Sequence, residues 1–219
     1  MSVWLFAAVG VQAQELRQIT VTGEGVAAAV PDMATISLGV SHRADSAEAA
    51  MDQVSQSVAA ILDLLPRFGI DARDMQTSGL SLYPVFASAS VSGADRITGF
   101  EASNGVTLRV RDLDQLGAAL EAVLKTGANR LSGLSFGVQE PAPLQEAARR
   151  DAVADAMARA QVYAEAAGVT LGPVVSISEN GGGYRPEPMM MAARADSVPV
   201  AAGEATISAS VTMVFALAD

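Results

Sequence analysis

Apolar and polar residues alternate with a period of two in several parts of this chain, which predicts β-strands. The alternation is clearest over 207–217, where every second residue from Ile207 to Leu217 is apolar, and it recurs over 36–40 and 106–110. Weaker candidates for strands are the segments 18–27, 76–87, 131–139 and 173–179. A strand with one apolar and one polar face is typical of antiparallel sheets, which cover a core on one side and meet water on the other.

Three other segments, 45–66, 112–126 and 143–167, have apolar residues spaced by three and four, which predicts helices. The predicted apolar stripes are Met51, Val54, Val58, Ile61 and Leu65 in the first helix, Leu113, Leu116, Leu120 and Val123 in the second, and Val153, Met157, Ala160, Ala164 and Ala167 in the third. The third helix holds ten alanines. Its small stripe predicts close packing against a sheet or another helix.

A glycine follows each predicted helix, at Gly69, Gly127 and Gly168. Each suits the left-handed conformation in which many helices end. The resulting order is β-β-α-β-β-α-β-α-β-β. Strands that come in runs between helices, rather than in strict alternation with them, indicate an α+β fold of antiparallel sheets with packed helices.

The stretch "VTGEGVAAAVPDMATISLGV" at 21–40 contains Gly23 and Gly25, which resemble the start of a phosphate-binding loop. Such a loop needs a third glycine and a following helix, whereas a second strand follows here. We therefore expect Gly23 to permit a bulge or bend in the chain. Pro31 and Asp32 are expected to form a turn into the next strand.

Composition excludes several classes of function. The formal net charge is −10 and the chain has no basic cluster, so nucleic acid is not an expected partner. No apolar run approaches the roughly 20 residues of a membrane helix, so no transmembrane span is expected. The chain has no cysteine, which excludes disulfides and thiolate chemistry.

The first 13 residues, "MSVWLFAAVGVQA", are apolar and end in a site of the kind that signal peptidases cleave. This segment is interpreted as the remnant of a signal peptide. Residues 14–219 are then expected to form a single domain, exported to the periplasm of a Gram-negative bacterium. That location suits a protein without disulfides.

Four segments in this order, "VTGEGVAAAVPDMATISLGV", "GIDARDMQTSGLSLYP", "TGANRLSGLSF" and "AGVTLGPVVSI", resemble the SIMPL-domain family. These are the YggE-like exported bacterial proteins, related to a Brucella periplasmic/outer-membrane immunogen. The resemblance covers about residues 19–217. It implies an α+β fold, a periplasmic or envelope location peripheral to the outer membrane, and large ring-like or channel-like homo-oligomers. The family is loosely linked to envelope or oxidative stress and has no agreed enzymatic activity, so it supplies no catalytic residue and no cofactor.

The positions that recur in the family are mostly interpreted as structural turns and caps. They match Gly23, Gly25, Pro31, Asp32, Gly69, Gly127, Asn129, Gly168, Leu171, Gly172 and Gly203 in this sequence. The chain departs from the family at Ala202, where relatives often have proline.

Few residues suggest catalysis. His42 is the only histidine, which excludes a site with two histidines, and it is interpreted as a surface residue at the end of a strand. It would be the base for a serine nucleophile, but no G-x-S-x-G elbow exists. The carboxylate pairs Asp71 with Asp74 and Asp112 with Asp114 lie near helix starts or turns, where they are interpreted as caps and dipole partners.

The segment 180–204 interrupts two good strands and is interpreted as a mobile loop. Met189, Met190 and Met191 within it are weak candidates for binding Cu(I), because thioethers are soft ligands. We favour packing of these methionines against a neighbouring subunit. The sequence thus predicts a non-enzymatic oligomeric scaffold or binding module, with an envelope partner that it does not identify. The alternatives are a carrier of a small ligand or Cu(I) and a hydrolase with acidic catalytic residues.

Overall fold

The computed structural model of the protein describes residues 17–87, 96–181 and 202–218. Within these ranges the elements are β1 (Gln18–Ala29), β2 (Met33–Ala44), α1 (Ala47–Leu64), β3 (Met75–Phe86), β4 (Ile97–Val110), α2 (Leu116–Thr126), β5 (Arg130–Gly137), α3 (Ala142–Ala167), β6 (Thr170–Asn180) and β7 (Ala205–Ala218). The predicted order of strands and helices is confirmed, as is the α+β class. The apolar segment 1–13 and most of the predicted loop 180–204 lie outside the described residues.

The chain divides into two compact units. Among the described residues, one unit comprises 17–27, 144–181 and 207–218, and the other comprises 28–87, 96–143 and 202–206. We call them the three-stranded unit and the four-stranded unit after their sheets. The single domain expected for residues 14–219 stays a prediction.

The four-stranded unit is an antiparallel sheet in the order β3-β4-β2-β5, with α1 and α2 packed on one face. Alternate residues of β2 and β4 enter the core, where they meet the stripe of α1 formed by Val54, Val58 and Ile61. Ser46 is the N-cap of α1, and its hydroxyl accepts a hydrogen bond from the Ala49 amide at 3.2 Å. The predicted stripes of the first two helices are therefore confirmed, apart from partial exposure of Met51 and Leu113.

The three-stranded unit has the sheet order β1-β7-β6, with α3 packed on one face. Strands β6 and β7 are antiparallel. Strands β1 and β7 are antiparallel as well, because the Leu217 amide donates to the Arg17 carbonyl while Thr22 contacts Thr212. Every second residue of β7 faces α3, as the alternation predicted, including the fully buried Met213 and Phe215.

Gly23 and Gly25 lie inside β1, and the bulge or bend expected at Gly23 stays a prediction. Both face α3 at a distance that leaves no room for a side chain. A Cβ added at Gly23 would lie 2.1 Å from the Ala152 carbonyl oxygen, and one at Gly25 would lie 2.0 Å from the Ala148 carbonyl oxygen. The backbone of the strand therefore packs directly against the backbone of the helix.

This close contact decides which face of α3 is buried. The buried residues are alanines at every fourth position: Ala148, Ala152, Ala156, Ala160 and Ala164. The stripe predicted from the sequence was wrong in part, since Met157 is half exposed and Val153 is only partly buried. A methionine or valine does not fit opposite the glycines, whereas alanine does.

The helix also covers the outer edge of β1. The Glu24 amide, which has no strand beyond it, donates to the Asp155 carboxylate at 2.9 Å. This backbone hydrogen bond lowers the pKa of Asp155, with a further contribution from Arg159. Asp155 thus satisfies part of the edge that β1 would otherwise leave open.

Substituting Gly23 with alanine tests the contact between β1 and α3. The added methyl group would collide with backbone atoms, which cannot rotate away as a side chain does. We expect Gly23→Ala to lower the free energy of unfolding by about 3 kcal/mol, measured by urea denaturation. Gly133→Ala is the control, because a Cβ there meets nothing within 4 Å, and its change should stay within about 0.5 kcal/mol. Equal stability of the two variants would contradict the contact.

Candidate functional site

A buried ion pair lies at one end of the four-stranded unit. The Arg111 guanidinium donates through Nε and Nη2 to the two carboxylate oxygens of Asp74, both at 2.7 Å. The Asp74 side chain is only 2% exposed, and that of Arg111 is 37% exposed. The hydrogen bond from Arg111 lowers the pKa of Asp74 despite its burial, and the same bond raises the pKa of Arg111. Asp74 is therefore held in its charged form.

This pair belongs to a longer polar network. Arg111 donates through Nη1 to the Gln139 side-chain oxygen at 3.2 Å. The Gln139 side chain donates in turn to the Asp32 carbonyl at 3.0 Å, and its amide donates to the Asp32 carboxylate at 2.7 Å. The network joins the connection between β1 and β2 to the ends of β4 and β5. Its groups satisfy one another, which indicates a structural role.

The other members of the two carboxylate pairs noted in the sequence lie at turns. Asp112 accepts a hydrogen bond from the Asp114 amide at 3.0 Å, at the start of a short 3-10 turn. Asp71 precedes a second 3-10 turn without a side-chain cap bond, and it lies 3.3 Å from Arg73. Asp74 is not a cap, because its carboxylate is taken by Arg111.

His42 is half-buried on the side of β2 that faces α1, and its Nε2 lies 3.0 Å from the Ser57 hydroxyl. A nucleophile and its base meet at this distance, but the base also needs a group that orients it. Among the described residues no carboxylate binds the imidazole ring of His42. Gly127 approaches the same hydroxyl closely, since a Cβ there would lie 3.4 Å from it. We interpret the His42–Ser57 hydrogen bond as a link between β2 and α1.

Asn129 lies beside this hydrogen bond, at the start of β5. Its side chain bonds the backbone of β2 in the way that a residue of a neighbouring strand would. Its side-chain oxygen accepts from the Ser41 amide at 2.9 Å, and its side-chain nitrogen donates to the Ser41 carbonyl at 2.7 Å. On the other face of the sheet, Glu101 accepts hydrogen bonds from Arg43 and Ser41, which lower its pKa. Arg130 also donates to Glu101, at 2.8 Å.

The remaining positions predicted as turns lie at element ends or inside β6. Gly69, Gly168 and Gly203 have φ between 62° and 72°, and Gly127 has φ of 129°. Gly172 lies in β6, where a Cβ would be 2.9 Å from the Ala216 carbonyl oxygen. The other three positions are Pro31, between β1 and β2, Leu171, which packs against the core under α3, and Ala202, which precedes β7.

A row of exposed apolar side chains follows the outer strand of the four-stranded sheet. Strand β3 forms the edge of this sheet. Strand β2 ends at Ala44, opposite Phe100, so β4 pairs with β3 alone from Ile97 to Gly99. The row, which we call the β3 edge, has side chains between 40% and 65% exposed: Leu80, Leu82, Tyr83, Phe86 and Ile97. Consecutive residues such as Leu82 and Tyr83 point to opposite faces of the sheet, so these side chains flank the edge strand on both sides, as suits an interaction site.

The three-stranded sheet exposes a second apolar edge. Strand β6 is its outer strand, and every residue from Pro173 to Asn180 is exposed. Its large aliphatic side chains, which we call the β6 edge, are between 43% and 56% exposed: Val174, Val175 and Ile177. Ile177 stands opposite the buried Met213 in the ladder, on the side of the sheet that α3 covers only in part.

The described residues do not form a metal site. Over residues 17–87, 96–181 and 202–218, no three acidic or histidine side chains converge as metal ligands would. Met189, Met190 and Met191 lie outside those ranges, so the binding of Cu(I) stays a prediction. In the same ranges, no helix combines the length and apolar character needed to cross a membrane.

Two of the features described above could not be predicted from the sequence. The partner of Asp74 is 37 residues away, and no local pattern indicates it. The strand at β3 was predicted, but its exposure depends on its place at the edge of the sheet. An uncharged run of 20 residues, 75–94, was the available indication of an unusual surface.

Comparison with known proteins gives one consistent family. The model of the SIMPL family, described as a protein of unknown function (DUF541), matches residues 19–215. The chain is 37% identical to the 26 kDa periplasmic immunogenic protein of Brucella melitensis over 209 residues, which cover 90% of this chain and 84% of that protein. It is 34% identical to the uncharacterized protein YggE of Edwardsiella ictaluri, covering 83% and 77% of the two chains. It is 32% identical to YggE of Escherichia coli K12, covering 88% and 79%.

The ion pair between Asp74 and Arg111 predicts a loss of stability in acid. An unfolded aspartate titrates near pH 4, and the pKa of folded Asp74 is lower. The pair therefore stabilises the fold above that pH, and its contribution disappears as the pH falls through the folded pKa. We expect Asp74→Asn to lower the free energy of unfolding at pH 7 by about 2 kcal/mol and to flatten the acid limb of the stability profile, measured by urea denaturation at several pH values.

Asp71→Asn is the matched control, because the Asp71 side chain is 64% exposed and its ion pair within the described ranges is with the exposed Arg73. It should change stability by less than about 0.5 kcal/mol at any pH. An Asp74→Asn variant with the acid profile of the unmodified protein would rule out this contribution of the pair.

Proposed function

Because the chain belongs to the SIMPL family, whose function is unknown, we propose a function from the surfaces that it exposes. The protein is a non-enzymatic scaffold or binding module of the periplasm, and it works as an oligomer of identical chains. A role in envelope or oxidative stress is part of this proposal.

The observation that carries the proposal is the β3 edge. Its five large side chains are at least 40% exposed in the single chain, and burial of the part that is still exposed would contribute roughly 1–1.5 kcal/mol each. Residues 75–87 carry no charge in a protein whose net charge is −10. A second copy meets the least electrostatic repulsion when it approaches this part of the surface.

The electrostatics support a non-enzymatic role. The carboxylates of Asp74, Glu101 and Asp155 have lowered pKa values because each accepts hydrogen bonds from arginine or backbone groups. A general acid or base works best with a pKa near the operating pH. These three groups are shifted in the opposite direction, which suits ion pairs better than proton transfer.

Location in the periplasm is supported by the name of the Brucella relative, the 26 kDa periplasmic immunogenic protein. The absence of cysteine from the chain is compatible with folding there without disulfides. The names of the Brucella, Edwardsiella and Escherichia relatives mention no enzymatic activity.

The oligomer and its dependence on the β3 edge can be tested together. We expect the purified protein to have a defined mass of several chains by light scattering. The double substitution Tyr83→Ser with Phe86→Ser should shift it to smaller species. A loss of about 3 kcal/mol per contact would weaken the dissociation constant by roughly a hundredfold, which a concentration series would reveal.

Val162→Ser with Tyr163→Ser is the matched control, since these two residues of α3 are 62% and 59% exposed. The control should keep the mass of the unmodified protein. A monomeric unmodified protein would refute the proposed oligomer. An oligomer that dissociates in the control and not in the β3 variant would move the interface away from the β3 edge.

A further inference from the structure

We propose that the β3 edge of one copy pairs with the β6 edge of the next copy, as neighbouring strands in a sheet that crosses the subunit boundary. This inference rests on the proposed oligomer and specifies its interface. The contact is head-to-tail, because two different surfaces of the same chain meet in it. Contacts of this type form rings when successive rotations close.

The two edges match in charge. No residue is charged in 75–87 on the β3 side or in 168–178 on the β6 side. Together they present eight large apolar side chains that are at least 40% exposed. In a strongly acidic protein, two such surfaces are suitable partners for each other. The one charged residue of the β6 strand, Glu179, already accepts a hydrogen bond from Arg149 of α3 at 2.9 Å.

The two edges also match in length. A break in the ladder near Gly79 leaves the run Ser81–Val85 in regular pairing with β4. Irregularities near Pro173 leave the run Ser176–Asn180 in regular pairing with β7. Each run has five residues and one side without a partner strand in the described sheets. An added strand would pair with free backbone groups of both runs, as in β-strand addition, although Pro84 in the β3 run has no N–H to donate.

The other two edges are less suited to this contact. Asp155 of α3 accepts the Glu24 amide on the edge of β1. Strand β5 begins with Arg130, whose guanidinium is engaged with Glu101, and its exposed large apolar residue is Leu131. Pairing β3 with β6 covers both remaining apolar edges through one kind of contact, whereas pairing each with itself needs two.

The chain has no cysteine, so single introduced thiols report the interface directly. Tyr83→Cys and Ile177→Cys, each with a different tag, would be co-expressed and treated with a short bis-maleimide. We expect covalent dimers that carry both tags, and no covalent dimer from either variant expressed alone. Tyr163→Cys replaces Ile177→Cys in the control, and the mixed dimer should then disappear.

Light scattering on the same samples separates the possible failures. Same-tag dimers from one variant alone, within an intact oligomer, would show that an edge pairs with itself and would overturn the head-to-tail contact. An intact oligomer without any cross-link would overturn it as well. A monomer in every sample would refute the proposed oligomer and this interface with it. Circular dichroism confirms that the variants, both at exposed positions, keep the fold.

Discussion

The contact between β1 and α3 joins two backbones, and the packing of the three-stranded unit is arranged around it. Glycine at positions 23 and 25 removes the side chains that would hold the helix away. A row of alanines gives the helix a flat surface to match. Because β1 and α3 contribute so little side-chain volume, the larger residues of β7, above all Met213 and Phe215, fill the rest of the core. Alanine and glycine here are packing residues.

The four-stranded unit relies on different physics. Its core is made of branched aliphatic side chains from two helices and two central strands, which tolerate small adjustments of position. The positions of the connections between strands are fixed by polar groups at the ends of this unit, namely Asp74, Arg111 and Gln139. Asn129 does the same for the start of β5. The hydrogen bonds at the ends therefore constrain the loops, while apolar burial holds the helices on the sheet.

The sequence predicted the order and type of the elements because hydrophobic period depends on local residues alone. It failed where a choice depends on contacts distant in sequence. The segment 143–167, predicted as the third helix, holds ten alanines, so several of its faces are equally apolar. The contact with Gly23 and Gly25 selects the row through Ala152. The ion pair of Asp74 joins residues 37 positions apart. Exposure of Tyr83 likewise follows from strand order, which alternation along one strand does not specify.

The carboxylate of Asp155 at the edge of β1 has a consequence for aggregation. An open sheet edge can pair with a strand of another chain. Each added strand then offers a new edge to the next chain, and the aggregate grows without limit. In the three-stranded sheet, that propagation would have to pass from β6 through β7 to β1, where the Glu24 amide is already bonded to the helix. The three-stranded sheet can therefore accept a strand on one side without offering an equivalent edge on the other, which prevents growth through this sheet alone.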